Sequence, residues 1–286
     1  MNKTLFAAAL ALLPLAAHAQ APNLVSGPLT IAQDNAGNAA YSGGGSYDTL
    51  NGGTGFGAFK VVTSVSSSTN AYAGSFVGTA AGSEGGNGNP ASIDSSGKSF
   101  GTYANGTSNG AGDPSVTASR TFNVGPTTGG SFSLDFVTGY NDGASGGGSA
   151  SVALTNTLGA FGTFAYVSNN SYTFNGATIT GQGYTSGPFH LTYNITSPTT
   201  YSLVETGPFS FTGAGTFAGP ILGFQVQQAN SAGGGGDHDG FFNNLKETAA
   251  VPAAVPEAST TVSLGLLLAL GLGGFAVARK RRATAA

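Results

Sequence analysis

From residue 116 onward the chain alternates apolar and polar positions with a period of two, the pattern of strands that bury one face. In Ser131-Phe-Ser-Leu-Asp-Phe-Val137, residues Phe132, Leu134 and Phe136 share one side and Ser131, Ser133 and Asp135 the other. Phe189-His-Leu-Thr-Tyr-Asn-Ile195 turns Phe189, Leu191, Tyr193 and Ile195 inward and His190, Thr192 and Asn194 outward. The stretch 222–227 repeats this alternation. The same reading predicts strands over 116–124, 151–154, 161–167, 172–179, 201–204, 209–217 and 241–248, with 59–65 and 71–79 in the less regular N-terminal half. Clusters of Gly, Asn, Ser and Thr at 127–130, 141–143, 146–148 and 233–236 punctuate them, at about the 8–12-residue spacing of sandwiches and barrels. Irregular structure is expected over 34–57 and 83–112, which are rich in Gly, Asn and Ser. The fold class this implies is all-β: an antiparallel β-sandwich of jelly-roll or lectin-like type, its first strands completing sheets that later ones contribute.

The pattern changes at both ends. Residues 1–19 carry Lys3, an apolar run from Leu5 to Ala17 and an Ala17-His18-Ala19 site. That is the make-up of a secretory signal peptide, with cleavage leaving Gln20 first. At the other end, Pro256-Glu257-Ala258-Ser259-Thr260 precedes an uncharged run, 261–278, and then Arg279, Lys280, Arg281 and Arg282. As a helix, that run reaches roughly 27 Å, close to the ~30 Å hydrocarbon core of a bilayer. The basic block sets the orientation, with the tail inside and residues 20–250 outside. The chain thus divides into a signal peptide (1–19), a Gly/Ser/Thr-rich ectodomain (20–250) and a C-terminal tail (251–286).

This order of a Pro-Glu motif, an apolar span and an Arg-rich end resembles the PEP-CTERM sorting signal of Gram-negative bacteria. The third motif position is Ala258 where the family has Pro, and the resemblance covers about the last tenth of the chain. It implies recognition of Pro256, Glu257 and Ala258 by the membrane protease exosortase, after export through the secretion machinery and signal peptidase. The implied path runs from the inner membrane to the cell envelope, cell surface or extracellular matrix. More loosely, Phe241-Phe-Asn-Asn-Leu245 is similar to the closing strand of lectin-like ectodomains in that family.

Composition narrows the ectodomain's task. Only 7% of the chain is charged, against about 25% for a typical soluble protein. Between residues 20 and 250 the basic residues are Lys60, Lys98, Arg120 and Lys246, facing eleven carboxylates. Such a surface is a poor match for nucleic acid and is compatible with neutral polysaccharide or metal ions. Cysteine is absent, which excludes thiol catalysis and disulfides; tryptophan is absent as well.

Candidate chemistry is sparse. Asp237, His238 and Asp239 form the densest polar cluster, and with Asp135, Asp142 or Asn243 they are oxygen donors suited to Ca²⁺. Glu84, Glu205, Asp135 and Asp142 are the carboxylates available to a glycosidase pair, though none stands in a catalytic strand motif. Gly53-Thr-Gly55-Phe-Gly57 lacks the Lys and the strand–loop–helix context of a phosphate loop. Tyr140, Tyr166, Tyr172, Tyr184 and Tyr201 are either sugar-stacking faces or ordinary strand residues. The reading is a non-enzymatic structural or adhesive protein of the envelope or matrix; the alternatives are a lectin-like carbohydrate-binding module with or without structural calcium and, third, a polysaccharide hydrolase using Glu205.

Overall fold

The computed structural model describes residues 27–65, 71–80, 93–106, 114–139, 148–167, 171–185, 187–229, 231–232 and 238–250. The expected signal peptide (with Ala17 and Ala19) and sorting tail (Pro256 to Arg282) lie outside them, as do Glu84, Tyr140, Asp142 and Asp237.

In chain order the strands are β1 (Leu29–Asp34), β2 (Lys60–Ser64), β3 (Tyr72–Gly78), β4 (Ser99–Gly106), β5 (Ser115–Thr121), β6 (Ser131–Val137), β7 (Ser149–Asn156) and β8 (Gly159–Val167). They continue with β9 (Ser171–Phe174), β10 (Ala177–Ile179), β11 (Phe189–Ser197), β12 (Thr200–Thr206), β13 (Phe211–Thr216), β14 (Gly223–Ala229), β15 (Ser231–Ala232) and β16 (Gly240–Ala249). The larger sheet runs β13-β12-β11-β6-β16-β4-β15, with β1 also on β16 and β3 also on β4. The smaller runs β10-β9-β8-β7-β14-β5-β2. Pairing is antiparallel except for the two-residue β15 beside β4. Among the described residues, helical content is limited to the 3-10 turn Ala39–Tyr41 and single 3-10 residues at Ala80, Ile93 and His238, and no helix is long and apolar enough to cross a membrane.

The expected alternation is what builds the sandwich. Phe132, Leu134 and Phe136 are buried, as are Phe189, Leu191, Tyr193 and Ile195. They meet Val152, Leu154, Phe164, Phe224 and Val226 of the smaller sheet in one continuous core. Edge-on and stacked rings fill it; Phe132 and Phe224 stack across the layers at 4.7 Å. The first strands complete sheets built mostly from later sequence: β1 lies on β16, β2 on β5 and β3 on β4.

Several expectations need correcting. Residues 99–106, expected to be irregular, form β4, the strand that joins β3 to β16. Strand β1 was not foreseen; it forms because β16 offers it a partner from Asp34 to Leu29. The single strand expected over 172–179 is a hairpin, because Asn175 and Gly176 both adopt positive φ (51° and 80°), the turn that a two-residue connection favours. Leu222 is exposed and lies just before β14. The segment 34–57 is irregular as expected but firmly packed, with Tyr41, Tyr47 and Phe56 buried in the main core.

That packing explains the glycines that superficially resemble a phosphate loop. A Cβ on Gly53 would strike the backbone and side chain of Gln33 and Asp34, and one on Gly55 would strike Ala32. Thr54, between them, exchanges two backbone hydrogen bonds with Gln33, each 3.0 Å. These glycines let the loop press onto β1.

Candidate functional site

β3 and β4 carry the most distinctive outward face. Val77 of β3 and Phe100 of β4 belong to the main core, so Tyr72, Gly74 and Phe76 on β3 and Gly101, Tyr103 and Asn105 on β4 occupy the opposite side. The register sets Tyr72 against Asn105, Gly74 against Tyr103 and Phe76 against Gly101. Each inner aromatic therefore faces a glycine. The Cζ of Tyr103 stands 2.6 Å from where a Cβ on Gly74 would be. The Cε1, Cζ and Cε2 of Phe76 all lie within 2.9 Å of a Cβ position on Gly101. The rings thus lie down on glycines of the neighbouring strand, in space that any side chain there would fill.

The three rings form a row. Tyr72 and Tyr103 are 5.9 Å apart with planes at 57°; Tyr103 and Phe76 are 6.1 Å apart at 41°. The Phe76 end is anchored edge-on against Phe241 at 5.6 Å, within a small outer cluster with Ala80, Ile93 and Val137. The Tyr72 end is 50% exposed. Around the row lies a cleft of ≈ 580 Å³, flanked by Ser75, Asn105 and Asp239. Ser75 shares the inward side of β3 with Val77, and its buried hydroxyl is taken up by that of Ser46 at 2.8 Å. Asp239 is placed by the turn into β16: Gln228 Nε2 donates to the His238 carbonyl, and Gly240 N–H donates to Gln228 Oε1 at 3.1 Å. Among the described residues none lining the cleft is a lysine or arginine. Rings beside short hydroxyl, amide and carboxylate groups suit a ligand with apolar faces and polar edges.

The remaining candidates go elsewhere. Tyr166, Tyr172 and Tyr201 are core residues, and Tyr184 packs against the core. Burial raises Tyr172 and Tyr201 above the usual phenol range. Asp135 sits on the outer face of the larger sheet, accepting from Asn244 Nδ2 at 2.7 Å and contacting His190 Nδ1 at 2.5 Å. Asn243 is fully buried, donating to the carbonyls of Ile93 (2.7 Å) and Lys98 (2.9 Å) and accepting from Ala36 N–H. Neither is turned to Asp239, and among the described residues no three His, Cys, Asp or Glu gather as a metal site.

Glu205 points the other way from Asp135, into the core beside Leu203, so these two carboxylates do not share a cleft. Burial pushes the Glu205 carboxyl up to about 7, against a small opposing pull from His190. A second cavity, of ≈ 340 Å³, lies at the junction of β1 and β16; Gln33, Asn35, Asn38, Asn244 and Lys246 line it, with no ring among its lining residues.

Tyr72 and Tyr103 are what sequence reasoning missed. The usable signal was Tyr72-Ala-Gly74-Ser-Phe76-Val-Gly78 itself, where aromatic and glycine alternate on one face. Tyr103 was hidden because its strand was expected to be a loop.

No family model and no curated protein matches this chain. Among solved structures it is similar to the CBM2 module of Lactobacillus casei BL23 phage J-1 evolved Dit, at 14% identity and a TM-score of 0.34, over 50% of this chain and 72% of that one. It is also similar to an alginate lyase from Corynebacterium sp., at 12% and 0.32, over 62% and 76%. A third is the family 11 carbohydrate-binding module of Clostridium thermocellum, at 11% and 0.28, over 68% and 91%. Likeness at this level bears on none of the residues described above.

Proposed function

We propose that this chain is an exported, non-catalytic protein of the bacterial envelope or extracellular matrix that holds polysaccharide in the cleft between β3 and β4. The observation that carries the reading is the row of Tyr72, Tyr103 and Phe76, with Tyr103 and Phe76 laid down on Gly74 and Gly101 and the row flanked by Asn105 and Asp239. A sugar ring presents an apolar C–H face and a rim of hydroxyls. Stacked aromatics meet the first, and short polar groups with hydrogen-bonding capacity meet the second. Binding of this kind needs neither a general acid nor a metal, so the site works by adhesion.

Delivery rests on the ends of the chain. Ala17-His18-Ala19 marks release by signal peptidase, and Pro256-Glu257-Ala258 with the span 261–278 and Arg279 to Arg282 supports sorting by exosortase. The binding test is affinity electrophoresis of the protein through gels containing neutral polysaccharide. Tyr72→Ala and Tyr103→Ala should each restore mobility, with a loss of affinity of about tenfold or more. Retardation that survives both substitutions would remove the cleft from the reading. For sorting, replacing Pro256 and Glu257 with alanine should leave a full-length, membrane-retained form; normal processing of that variant would reject the exosortase route.

A further inference from the structure

Taking the polysaccharide reading as its basis, we infer that the cleft selects one kind of polymer: a single, linear, uncharged glycan chain lying lengthwise along β3. Three features of the row point there.

The first is spacing. Tyr72, Tyr103 and Phe76 follow one another at 5.9 and 6.1 Å, close to the length of one sugar residue in an extended chain. A terminal sugar covers one ring. Only consecutive units of one chain engage all three, and the row runs with the strand because its members come from alternate positions of β3 and the facing position of β4.

The second is twist. Successive ring planes are turned by 57° and 41°, so the three rings share no common plane. A crystalline glycan surface is flat and meets at most one of them squarely. A single chain in solution rotates about its glycosidic bonds and presents each successive face to the next ring. The twist is built in. The cradle for Tyr103 is Gly74, the cradle for Phe76 is Gly101, and these glycines sit on adjacent twisted strands.

The third is charge. Asp239 lines the cleft, and none of the described lining residues is basic. The ectodomain's four basic residues lie elsewhere: Arg120 is buried in the interior, Lys246 lines the other cavity, and Lys60 and Lys98 are not among this cleft's lining residues. A polyuronate or sulfated chain would find no lysine or arginine among the described lining residues to pair with its charges. An uncharged chain offers hydroxyls, which carboxylate and amide groups can meet without a cation.

The experiment is calorimetric titration of the full chain in detergent micelles. The probes are linear neutral glucans (one α-linked, one β-linked), their oligomers from one to six units, a polyuronate, and microcrystalline cellulose in a pull-down. Affinity should climb about tenfold or more from one unit to three or four and then level off, for at least one glucan linkage. The polyuronate should bind at least about tenfold more weakly at low salt, and cellulose crystals should retain nothing. Gly74→Ala should cost about tenfold in affinity at an unchanged melting temperature. Its new methyl meets only the flexible end of Tyr103, so it tips the platform without touching the core. A monosaccharide matching the oligomers, a preferred polyuronate, or retention on crystals would overturn the inference while leaving polysaccharide binding intact. Silence with every glycan would overturn both.

Discussion

Arg120 and Asp34 are buried as a hydrogen-bonded pair, whereas Glu205 and Glu247 are buried without a hydrogen-bond partner among the described residues. The two regions share a core and differ in what surrounds the ionisable group. Arg120 reaches from β5 of the smaller sheet to Asp34 on β1 of the larger, at 2.5 Å, with both side chains fully buried. Its Nε donates to the Gly57 carbonyl at 2.8 Å and its Nη2 to Asn51 Oδ1, and its guanidinium lies over the rings of Phe56 and Phe59 at 4.9 and 4.4 Å. Asp34 also accepts from the Tyr41 hydroxyl and from Asn35 N–H. The irregular segment supplies these groups, because a loop can bend its carbonyls and amides toward a charge.

Among the described residues, no loop donates a hydrogen bond to either glutamate. Glu205 stands on an inner face between Leu191 and Phe211, and Glu247 between Phe132 and Ala32. Among the described residues, neither carboxylate has a hydrogen-bond partner on either oxygen. Strand neighbours have committed their backbone groups to the ladder, and their side chains here are apolar. Protonation is the route left, so burial raises Glu205 to about 7 and Glu247 to about 8 from an ordinary 4.5.

The contrast can be broken by experiment. The largest effect should come from Arg120→Met, which strands the Asp34 charge and releases the 35–59 segment. A loss of about 3–5 kcal/mol is expected in urea unfolding. A loss below about 1 kcal/mol would mean that the pair does not pin the two sheets.

The second effect is one of pH. Both glutamates hold protons in the folded state that the unfolded chain releases above 4.5. Their contribution is therefore complete below pH 4.5, declines as pH climbs through 7 and then 8, and is gone above that. Melting temperature should fall from pH 5 to pH 9, and Glu205→Gln with Glu247→Gln should flatten that slope, though the buried amides keep a desolvation cost of about 1–3 kcal/mol. A double variant with the parental slope would assign the pH dependence elsewhere.

The smallest effect concerns Tyr47, whose buried hydroxyl has no partner among the described residues. Tyr47→Phe keeps the ring contacts with Phe59 and Phe100 and removes an unsatisfied group, so it should stabilise the protein by about 1 kcal/mol. Destabilisation would reveal a partner for that hydroxyl.

Legibility follows the same division between strands and loops. Ser131–Val137 and the strand beginning at Phe189 could be read from the chain because each buries one face, and burial of alternate residues writes a period of two. β4 could not. Ser99-Phe-Gly-Thr-Tyr-Ala-Asn-Gly106 has the Gly and Asn content of a loop, and it is a strand because β3 and β16 offer it partners on both sides. Its glycine would weaken an isolated strand, but here the Phe76 ring covers Gly101. The tyrosines divide in the same way. Composition shows that they are present, and only the register shows that Tyr72 and Tyr103 face out while Tyr166, Tyr172 and Tyr201 face in.

What the sequence by itself determined is local and periodic: an all-β chain, most of its inward and outward positions, and a surface poor in charge. These are properties of consecutive residues, and they need no knowledge of what lies opposite. What the tertiary structure decided is every relation between distant residues. Asp34 meets Arg120, Asn243 meets Ile93 and Lys98, and aromatic rings from β3 and β4 settle on each other's glycines. The physical reason is that strand pairing joins segments with no sequence proximity. A glycine that reads as a breaker along the chain becomes, across the sheet, the floor on which a neighbouring ring rests.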